Sequence, residues 1–344
     1  MNELPKLLDQ LLNGIDLDEE AAGDLLVALT REDLPPALAA ALLAALRAKG
    51  ETATELRGFA NAMRGLAHKP EIRAGEPLLD IVGTGGDGSG SLNLSTGASL
   101  LAAACGVPVV KHGNRSVSSR SGSADMLEAL GMRLPQDAAA AVACLAGAGY
   151  TFLFAPHFHP AMKAIAPVRR AMGVRTLFNL LGPLTNPAAP PYLLLGAFSE
   201  AAARLMADAI AGFRGLRRGF VVHGAPGWDE ATPVGPFLLI EVRDGEVSET
   251  TRDPAEWGLP RCTPEELAGG DAAHNAMRLR AVFEGRESGP HLDALLLNTA
   301  LALELAGLAE DPVEAVAIAR RAVLDGRAAA LLDTLAQQGA EPAA

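Results

Sequence analysis

The chain has 344 residues, of which 49% are hydrophobic and 20% are charged, so it can bury a large core and form two domains. Its formal net charge of -12 argues against a nucleic-acid-binding protein, which needs a basic face to displace counterions from phosphates. Apolar runs are too short or too broken to predict a signal peptide or membrane span, and Cys105, Cys144 and Cys262 are predicted to be buried free thiols of a cytoplasmic protein.

The first part of the chain carries helical patterns separated by short breaks and shows no strand signal. The predicted helices are Pro5–Leu12, Glu19–Leu29, Pro35–Ala48 and Thr54–Leu66. These patterns predict a small all-helical domain.

From Leu78 onward, short apolar strands alternate with helical stretches, which is the pattern of a mostly parallel sheet covered by helices. The predicted strands are Leu78–Val82, Val107–Val110, Phe152–Phe154, Tyr192–Leu195 and Gly219–His223. Further helices are predicted from a capped start at Thr263 and over Leu295–Leu305 and Val313–Val323. The fold class is therefore α/β, with a small helical domain beside a larger α/β domain.

The first predicted strand ends in a glycine-rich loop, Gly83–Gly90, where backbone N–H groups can approach an anion closely. Asn93, Ser95 and Thr96 then precede a helical stretch, Ala98–Cys105, whose N-terminus attracts phosphate. Alone, the loop is equally consistent with a tight turn. It matches neither a Walker P-loop nor a dinucleotide fingerprint, so nucleotide hydrolysis and hydride transfer are disfavoured.

A second strand–loop–helix unit repeats this design. The strand Val107–Val110 leads into Lys111–Arg115, and a helix ending near Gly131 follows a serine-rich stretch that contains Ser116, Ser118, Ser119, Ser121 and Ser123. Basic side chains, hydroxyl groups and a glycine thus converge on one loop. Together, the two units predict a site for a heavily phosphorylated small molecule.

A pair of adjacent carboxylates, Asp229 and Glu230, follows the strand Gly219–His223 in another glycine-rich loop. On a loop both carboxylates can face one cation, and oxygen ligands suit Mg²⁺. A solvated acidic loop is the alternative interpretation.

Taken together, these motifs resemble the anthranilate phosphoribosyltransferase family. Its members join anthranilate to phosphoribosyl pyrophosphate (PRPP) in the second step of tryptophan biosynthesis from chorismate. The resemblance covers most of the chain and rests on the motifs Gly83–Asp87, Asn93–Thr96, Lys111–Arg115, Ser121–Asp125, Phe154–Lys163, Val168–Arg170 and Thr176–Pro187.

The resemblance implies a role for individual residues. PRPP would be bound by Gly83, Thr84, Gly86, Asp87, Asn93, Ser95, Thr96, Lys111, Asn114 and Ser123. Anthranilate would be bound by Gly83, His112, Asn114, His159, Met162, Arg169 and Pro183. Two Mg²⁺ ions are expected with PRPP, and the implied metal ligands are Ser95, Asp229 and Glu230. Lys111 and Arg169 would position substrates and stabilise charge, with no obligatory general base.

The resemblance also implies how the chain is divided. Residues 166–188 would return to the helical domain formed by residues 1–72, while residues 73–165 and 189–344 form the α/β domain. The active site would lie in the cleft between the domains. A homodimer joined through the helical domain is expected, with PRPP and anthranilate as its small-molecule partners and with neither nucleic acid nor a membrane as a partner.

Two segments depart from the family pattern. Ala164 stands where many relatives have histidine, and Ala231–Phe237 replaces a segment that more often contains Ile-Ser-Leu. A transferase of the same fold for another aromatic acceptor therefore stays open, as do, less favoured, a pyrimidine nucleoside phosphorylase and a non-enzymatic nucleic-acid-binding paralogue. His157 has no role that the sequence assigns.

Overall fold

A computed structural model describes residues 3–73, 75–116 and 120–340. Four helices come first, and no bound differs from the prediction by more than one residue: α1 (Leu4–Leu12), α2 (Glu19–Leu29), α3 (Pro36–Lys49) and α4 (Ala53–Leu66). Side-chain caps fix the starts of two of these helices. The Asp18 carboxylate accepts a hydrogen bond from the Ala21 amide in the first turn of α2, and Thr52 forms a capping box with Glu55 in α4. The predicted helical domain is confirmed.

A seven-stranded sheet forms the centre of the larger domain, with the strand order β3-β2-β1-β4-β5-β6-β7. Neighbours among the first five strands pair in parallel, whereas β6 and β7 are antiparallel. The strands are β1 (Leu79–Gly83), β2 (Val109–Gly113), β3 (Tyr150–Phe154), β4 (Tyr192–Gly196), β5 (Arg218–His223), β6 (Phe237–Arg243) and β7 (Glu246–Arg252). The five predicted strands are confirmed, and the β6–β7 hairpin is an addition.

Helices cover both faces of the sheet. They are α5 (Leu94–Ala104), α6 (Ser123–Ala129), α7 (Ala138–Ala148), α8 (Ala155–Phe158), α9 (Met162–Met172), α10 (Phe178–Leu181), α11 (Glu200–Ala211), α12 (Ala272–Phe283), α13 (Pro290–Leu305), α14 (Pro312–Leu324) and α15 (Arg327–Ala340). The capped start at Thr263 produces only the 3₁₀ turn Pro264–Leu267. None of the helices in the described ranges is long and apolar enough to cross a membrane.

Two large hydrophobic cores lie on opposite faces of the sheet. In β4, Leu194 belongs to the core formed with α5 and α13, whereas Leu193 and Leu195 belong to the core shared with the N-terminal helices. This alternation follows from the two-residue period of a strand. Ile165 and Phe178 join the second core, because α9 packs on α3 and α10 packs on α4.

The three cysteines are free thiols, as predicted, but the prediction of full burial is wrong. Cys105, Cys144 and Cys262 are each half-buried at the margin of the α5–α13 core. Partial burial still raises the pKa of each thiol to about 11, because the thiolate loses hydration. They are therefore weakly reactive thiols.

Candidate active site

The candidate site begins where β1, β4 and β5 end side by side and the segment Asp229–Glu230 crosses their tips. Each of these strands reaches a glycine there. A Cβ atom would lie 2.2 Å from Asp229 Oδ2 at Gly83, 1.5 Å from the Asp229 carbonyl oxygen at Gly196, and 1.8 Å from the Glu230 carbonyl oxygen at Gly224. Only glycine leaves room for this segment, so these residues place the two carboxylates at the strand ends.

The carboxylates are fixed by backbone amides. Asp229 Oδ2 accepts a hydrogen bond from the Gly85 amide at 2.5 Å, and the Asp229 amide donates to Asp87 Oδ2 at 3.2 Å. Glu230 Oε1 accepts from the Ser95 amide at 3.1 Å, in the first turn of α5. Burial, reinforced by Asp87, raises the pKa of Asp229 to about 7, and burial with Asp229 nearby raises the pKa of Glu230. A bound cation would relieve both effects.

The donor set fits Mg²⁺ better than it fits a metal held by protein alone. Within the described part of the chain, no three His, Cys, Asp or Glu side chains form a ready cage for an ion. Mg²⁺ is usually held by one or two carboxylates together with substrate phosphates and waters. Asp229 and Glu230 supply such carboxylates beside a phosphate-binding type of loop.

The glycine-rich loop is anchored to β4 and to the helical side of the molecule. The Thr84 amide donates to the Gly196 carbonyl at 3.0 Å, and Thr84 Oγ1 accepts from the Phe198 amide at 3.1 Å. Arg175 Nη2 donates to the Gly86 carbonyl at 2.5 Å, and its guanidinium lies 4.2 Å from the centre of the Phe198 ring. Sequence reasoning missed Arg175, whose partner lies 89 residues away.

The structure brings the two predicted anion loops together. Thr96 Oγ1 and Ser123 Oγ are 2.9 Å apart, and Asn93 Nδ2 donates to the Ser121 carbonyl at 3.0 Å. Asn93 occupies the N-cap position of α5, but its side chain makes no capping bond. Ser118 and Ser119 of the serine-rich stretch lie outside the described residues.

Lys111 lies fully buried in the middle of β2, and its Nζ donates to the Ile81 carbonyl. Burial lowers the pKa of Lys111 to about 8, although the nearby carboxylates Asp80, Glu230 and Asp229 oppose that shift. The ammonium group of Lys111 therefore interacts with these buried carboxylates and not with solvent.

A buried carboxylate that sequence reasoning missed fixes the segment after Lys111. Asp80 Oδ1 accepts from the His112 amide at 3.2 Å, and Asp80 Oδ2 accepts from Asn186 Nδ2 at 2.8 Å. The same Asn186 nitrogen donates to the Val110 carbonyl at 2.7 Å. The signal in the sequence was an aspartate inside the apolar run of the first strand, since a buried acid needs partners.

Two neutral imidazoles, one from β2 and one from the end of α8, pack against each other. The rings of His112 and His159 are buried and meet edge to face with centroids 5.0 Å apart. His112 Nδ1 donates to the Gly182 carbonyl at 3.1 Å, next to the buried Pro183, while its buried Nε2 has no partner in the described part of the protein. Burial lowers the pKa of His112 to about 3 and that of His159 to about 4, so both rings are uncharged at pH 7.

Arg169 lies in α9, the helix that begins shortly after His159. Its guanidinium lies 5.0 Å from the centre of the Phe178 ring, and no carboxylate among the described residues pairs with it. Burial lowers its pKa. The half-buried Met162 belongs to the same helix, whereas Asn114 is exposed and its Oδ1 accepts from the Arg115 amide at 2.7 Å.

The remaining residues singled out by sequence have ordinary packing contacts. His157 Nδ1 donates to the Pro135 carbonyl at 3.3 Å, and its ring meets Phe154 edge to face. Ala164 is half-buried on α9. Ala231 is buried, and its carbonyl accepts from Asn298 Nδ2 at 2.8 Å. The segment Ala231–Phe237, which differs from the family pattern, is therefore hydrogen-bonded to α13 where it begins.

Comparison with known proteins gives two matching family models. Residues 5–67 match the helical bundle domain of a glycosyl transferase family, and residues 75–329 match the a/b domain of that family. Among similar sequences, the anthranilate phosphoribosyltransferase of Solibacter usitatus is 48% identical over 93% of each chain. That of Methylobacterium nodulans is 44% identical over 97% of this chain and 98% of its own.

Solved structures agree with this likeness. The anthranilate phosphoribosyltransferase of Thermus thermophilus superposes with a TM-score of 0.91 at 43% identity, covering 97% of this chain and 99% of its own. The enzyme of Saccharomyces cerevisiae in complex with PRPP and Mg superposes with a TM-score of 0.90 at 26% identity, covering 98% of each chain.

The glycine contact at the strand tips predicts a stability effect. Because a Cβ atom at Gly196 would overlap a backbone oxygen, Gly196→Ala should lower the free energy of unfolding by about 1–3 kcal/mol. Urea denaturation measures this change. Gly65→Ala is the control, because Gly65 lies in α4 with open space around it and alanine there should stabilise by up to about 1 kcal/mol. Equal stability of Gly196→Ala and the parent would contradict the described contact.

Proposed function

The chain belongs to the anthranilate phosphoribosyltransferase family, and we propose that the crevice at the tips of β1, β4 and β5 is its active site. The enzyme is a pentosyltransferase that moves the 5-phosphoribosyl group of PRPP to the amine of anthranilate, giving N-(5-phosphoribosyl)anthranilate and pyrophosphate. The observation that carries the assignment of the site is the pair Asp229–Glu230, which is hydrogen-bonded to the glycine-rich loop at Gly85 and to the start of α5.

On the donor side, the reaction needs stabilisation of the departing pyrophosphate while positive charge develops at the anomeric carbon. The loop residues Gly83, Thr84, Gly86 and Asp87 and the helix-start residues Asn93, Ser95 and Thr96 would bind PRPP with Ser123. Lys111 would add a positive charge from its buried position in β2. Mg²⁺, when bound, neutralises pyrophosphate charge, and Asp229, Glu230 and Ser95 would hold it, with two ions accompanying PRPP.

On the acceptor side, the aromatic amine of anthranilate is neutral at pH 7 and has a free lone pair, so no general base is required. Arg169 would bind the acceptor carboxylate, since its guanidinium has no carboxylate partner among the described residues. His112 and His159 are uncharged and would line the acceptor site with Asn114. Met162 and Pro183 would provide apolar walls on either side of the ring.

The domain division supports this placement. We assign residues 1–72 and 166–188 to the helical domain, and residues 73–165 and 189–344 to the α/β domain. The packing of α9 on α3 and of α10 on α4 supports the return of the chain to the N-terminal helices. Arg169 would then reach the crevice from the helical side, opposite the PRPP loops.

We further propose a cytoplasmic homodimer joined through the helical domain. Free thiols are typical of a reducing compartment. Leu12 and Ile15 are 69% and 54% exposed on the helical side, where a second copy could cover them.

The acidic pair predicts the magnesium requirement. Replacing Asp229 and Glu230 together with alanine should raise the Mg²⁺ concentration for half-maximal pyrophosphate release at least about tenfold and lower kcat/KM by about 10²-fold or more. Glu310→Ala with Asp311→Asn is the matched control, because this adjacent exposed pair lies at the start of α14 and Asn keeps the cap. An unchanged magnesium dependence would remove Asp229 and Glu230 from the metal site.

Arg169 predicts a split between the two substrates. Arg169→Ala should raise the KM for anthranilate by about 10–100-fold, the loss of one charge-assisted contact, while the KM for PRPP changes by less than about twofold. Steady-state kinetics with each substrate varied measures the split, and the exposed neighbour Arg170→Ala is the control. Equal losses for both substrates would point to a folding defect instead.

The dimer proposal has its own test. Leu12→Glu combined with Ile15→Glu should halve the molar mass measured by light scattering, because two charges would be buried in the interface. Leu324→Glu, at a 77% exposed position in the α/β domain, should leave the mass unchanged. A dimer mass retained by the double variant would place the interface elsewhere.

A further inference from the structure

A second cationic cavity lies between the helical domain and the end of α11. Three arginines line it, two from α4 and one from the segment after α11, together with one carboxylate and one amide. We call it the arginine cavity, and it is lined by Glu19, Arg57, Asn61, Arg64, Ala189, Gly212 and Arg214. None of these residues belongs to the predicted PRPP, anthranilate or metal sites.

Arg64 is the unusual member of this group. Its Nε and Nη2 atoms are buried and have no hydrogen-bond partner in the described part of the chain, and no carboxylate there forms an ion pair with it. Its guanidinium lies 4.1 Å from the centre of the Phe213 ring, which covers one face of the group. A buried guanidinium without hydrogen-bond acceptors or a counter-ion is costly. The buried Asp80 acts electrostatically on Arg64, but it forms no ion pair with it and is already hydrogen-bonded to the His112 amide and to Asn186, so no carboxylate of the cavity lining pairs with Arg64.

The carboxylate in the cavity does not supply the missing charge. Glu19 Oε2 accepts from Arg57 Nε at 2.7 Å, and Glu19 Oε1 accepts from Asn61 Nδ2 at 2.8 Å, so both oxygens of Glu19 are bonded to residues other than Arg64. Three guanidinium groups and one carboxylate leave the lining with a net charge of about +2.

Of the two other arginines in the cavity, Arg57 is fixed by its contacts and Arg214 is exposed. Arg57 is held by Glu19 and lies directly on Gly212, where a Cβ atom would be 2.7 Å from Arg57 Cδ. Arg214 follows two residues later and is exposed at the cavity. A glycine at this helix end thus makes room for one guanidinium, and the cavity stays open to solvent at Arg214.

We propose that the arginine cavity binds a dianionic phosphate group, as inorganic phosphate or as a phosphate monoester. Guanidinium groups present paired N–H donors that match phosphate oxygens, and a dianion balances the net charge of the lining. The residues that line the arginine cavity are distinct from those of the crevice at the strand tips, which uses backbone amides, Lys111 and an acidic pair suited to Mg²⁺. The phosphate would pair with Arg64 and Arg214, while Glu19 keeps Arg57 in place.

Calorimetric titration with inorganic phosphate tests the proposal on the full-length protein saturated with PRPP and Mg²⁺, so that the crevice is already filled. The parent should bind one phosphate per chain. Arg64→Gln and Arg214→Gln should each weaken that affinity at least about tenfold, the loss of one charge-assisted contact. Arg217→Gln is the matched control, because Arg217 is an exposed arginine that does not line the cavity. Its affinity should equal that of the parent.

A second arm replaces inorganic phosphate with glycerol 2-phosphate. Equal affinities for phosphate and glycerol 2-phosphate would identify the free ion as a sufficient ligand. Glycerol 2-phosphate that binds at least about tenfold tighter than phosphate would identify a phosphorylated metabolite as the ligand. Both results support the site. No phosphate uptake by the PRPP-saturated parent would overturn it, as would equal phosphate affinity in the parent, Arg64→Gln and Arg214→Gln. Transfer to anthranilate, measured separately in each variant, distinguishes loss of this site from failure of the active-site assignment.

Discussion

The close contact between the segment Asp229–Glu230 and the glycines that end three neighbouring strands is the constraint on which the site depends. Side chains at Gly83, Gly196 and Gly224 would occupy the space of backbone or carboxylate atoms of this segment. Because the fit is backbone against backbone, the two carboxylates are held where water is scarce and their charged forms are disfavoured. A divalent cation brought with a phosphorylated substrate is the natural partner of such a pair.

The opposite side of the crevice is built by chain segments that pack on the N-terminal helices. The same region that carries Arg169 also carries the Gly182 carbonyl that accepts from His112, and Arg175, which donates to the Gly86 carbonyl of the glycine-rich loop. This region is therefore hydrogen-bonded both to His112 and to the glycine-rich loop. In the proposed assignment, the helical domain would support anthranilate and the sheet would support PRPP.

The sequence predicted many of the elements whose signal is local, although it missed the apolar strand β6 and the capped helix α11. The five parallel strands are short apolar runs, and α2 and α4 have capping residues. The edge strand β7 was not predicted, because its side chains are mostly exposed and polar and it therefore lacks an apolar pattern. The contacts of Asp80 with Asn186 and of Arg175 with Gly86 join residues far apart in the chain, and no local pattern marks them. The motifs predicted that the two anion loops form one site. The contact between Lys111 and Ile81 could not be predicted from the motifs and is seen only in the folded structure.

Anthranilate fluorescence, followed after mixing purified protein with PRPP and Mg²⁺, tests the central assignment most directly. Each component is omitted in turn, and other aromatic amines and acids replace anthranilate in parallel, because Ala164 departs from the family pattern. Decay of the fluorescence that requires protein, PRPP and Mg²⁺ together is the predicted result. Fluorescence that persists, with pyrophosphate released only when a different acceptor is supplied, would contradict the assignment of anthranilate as the acceptor.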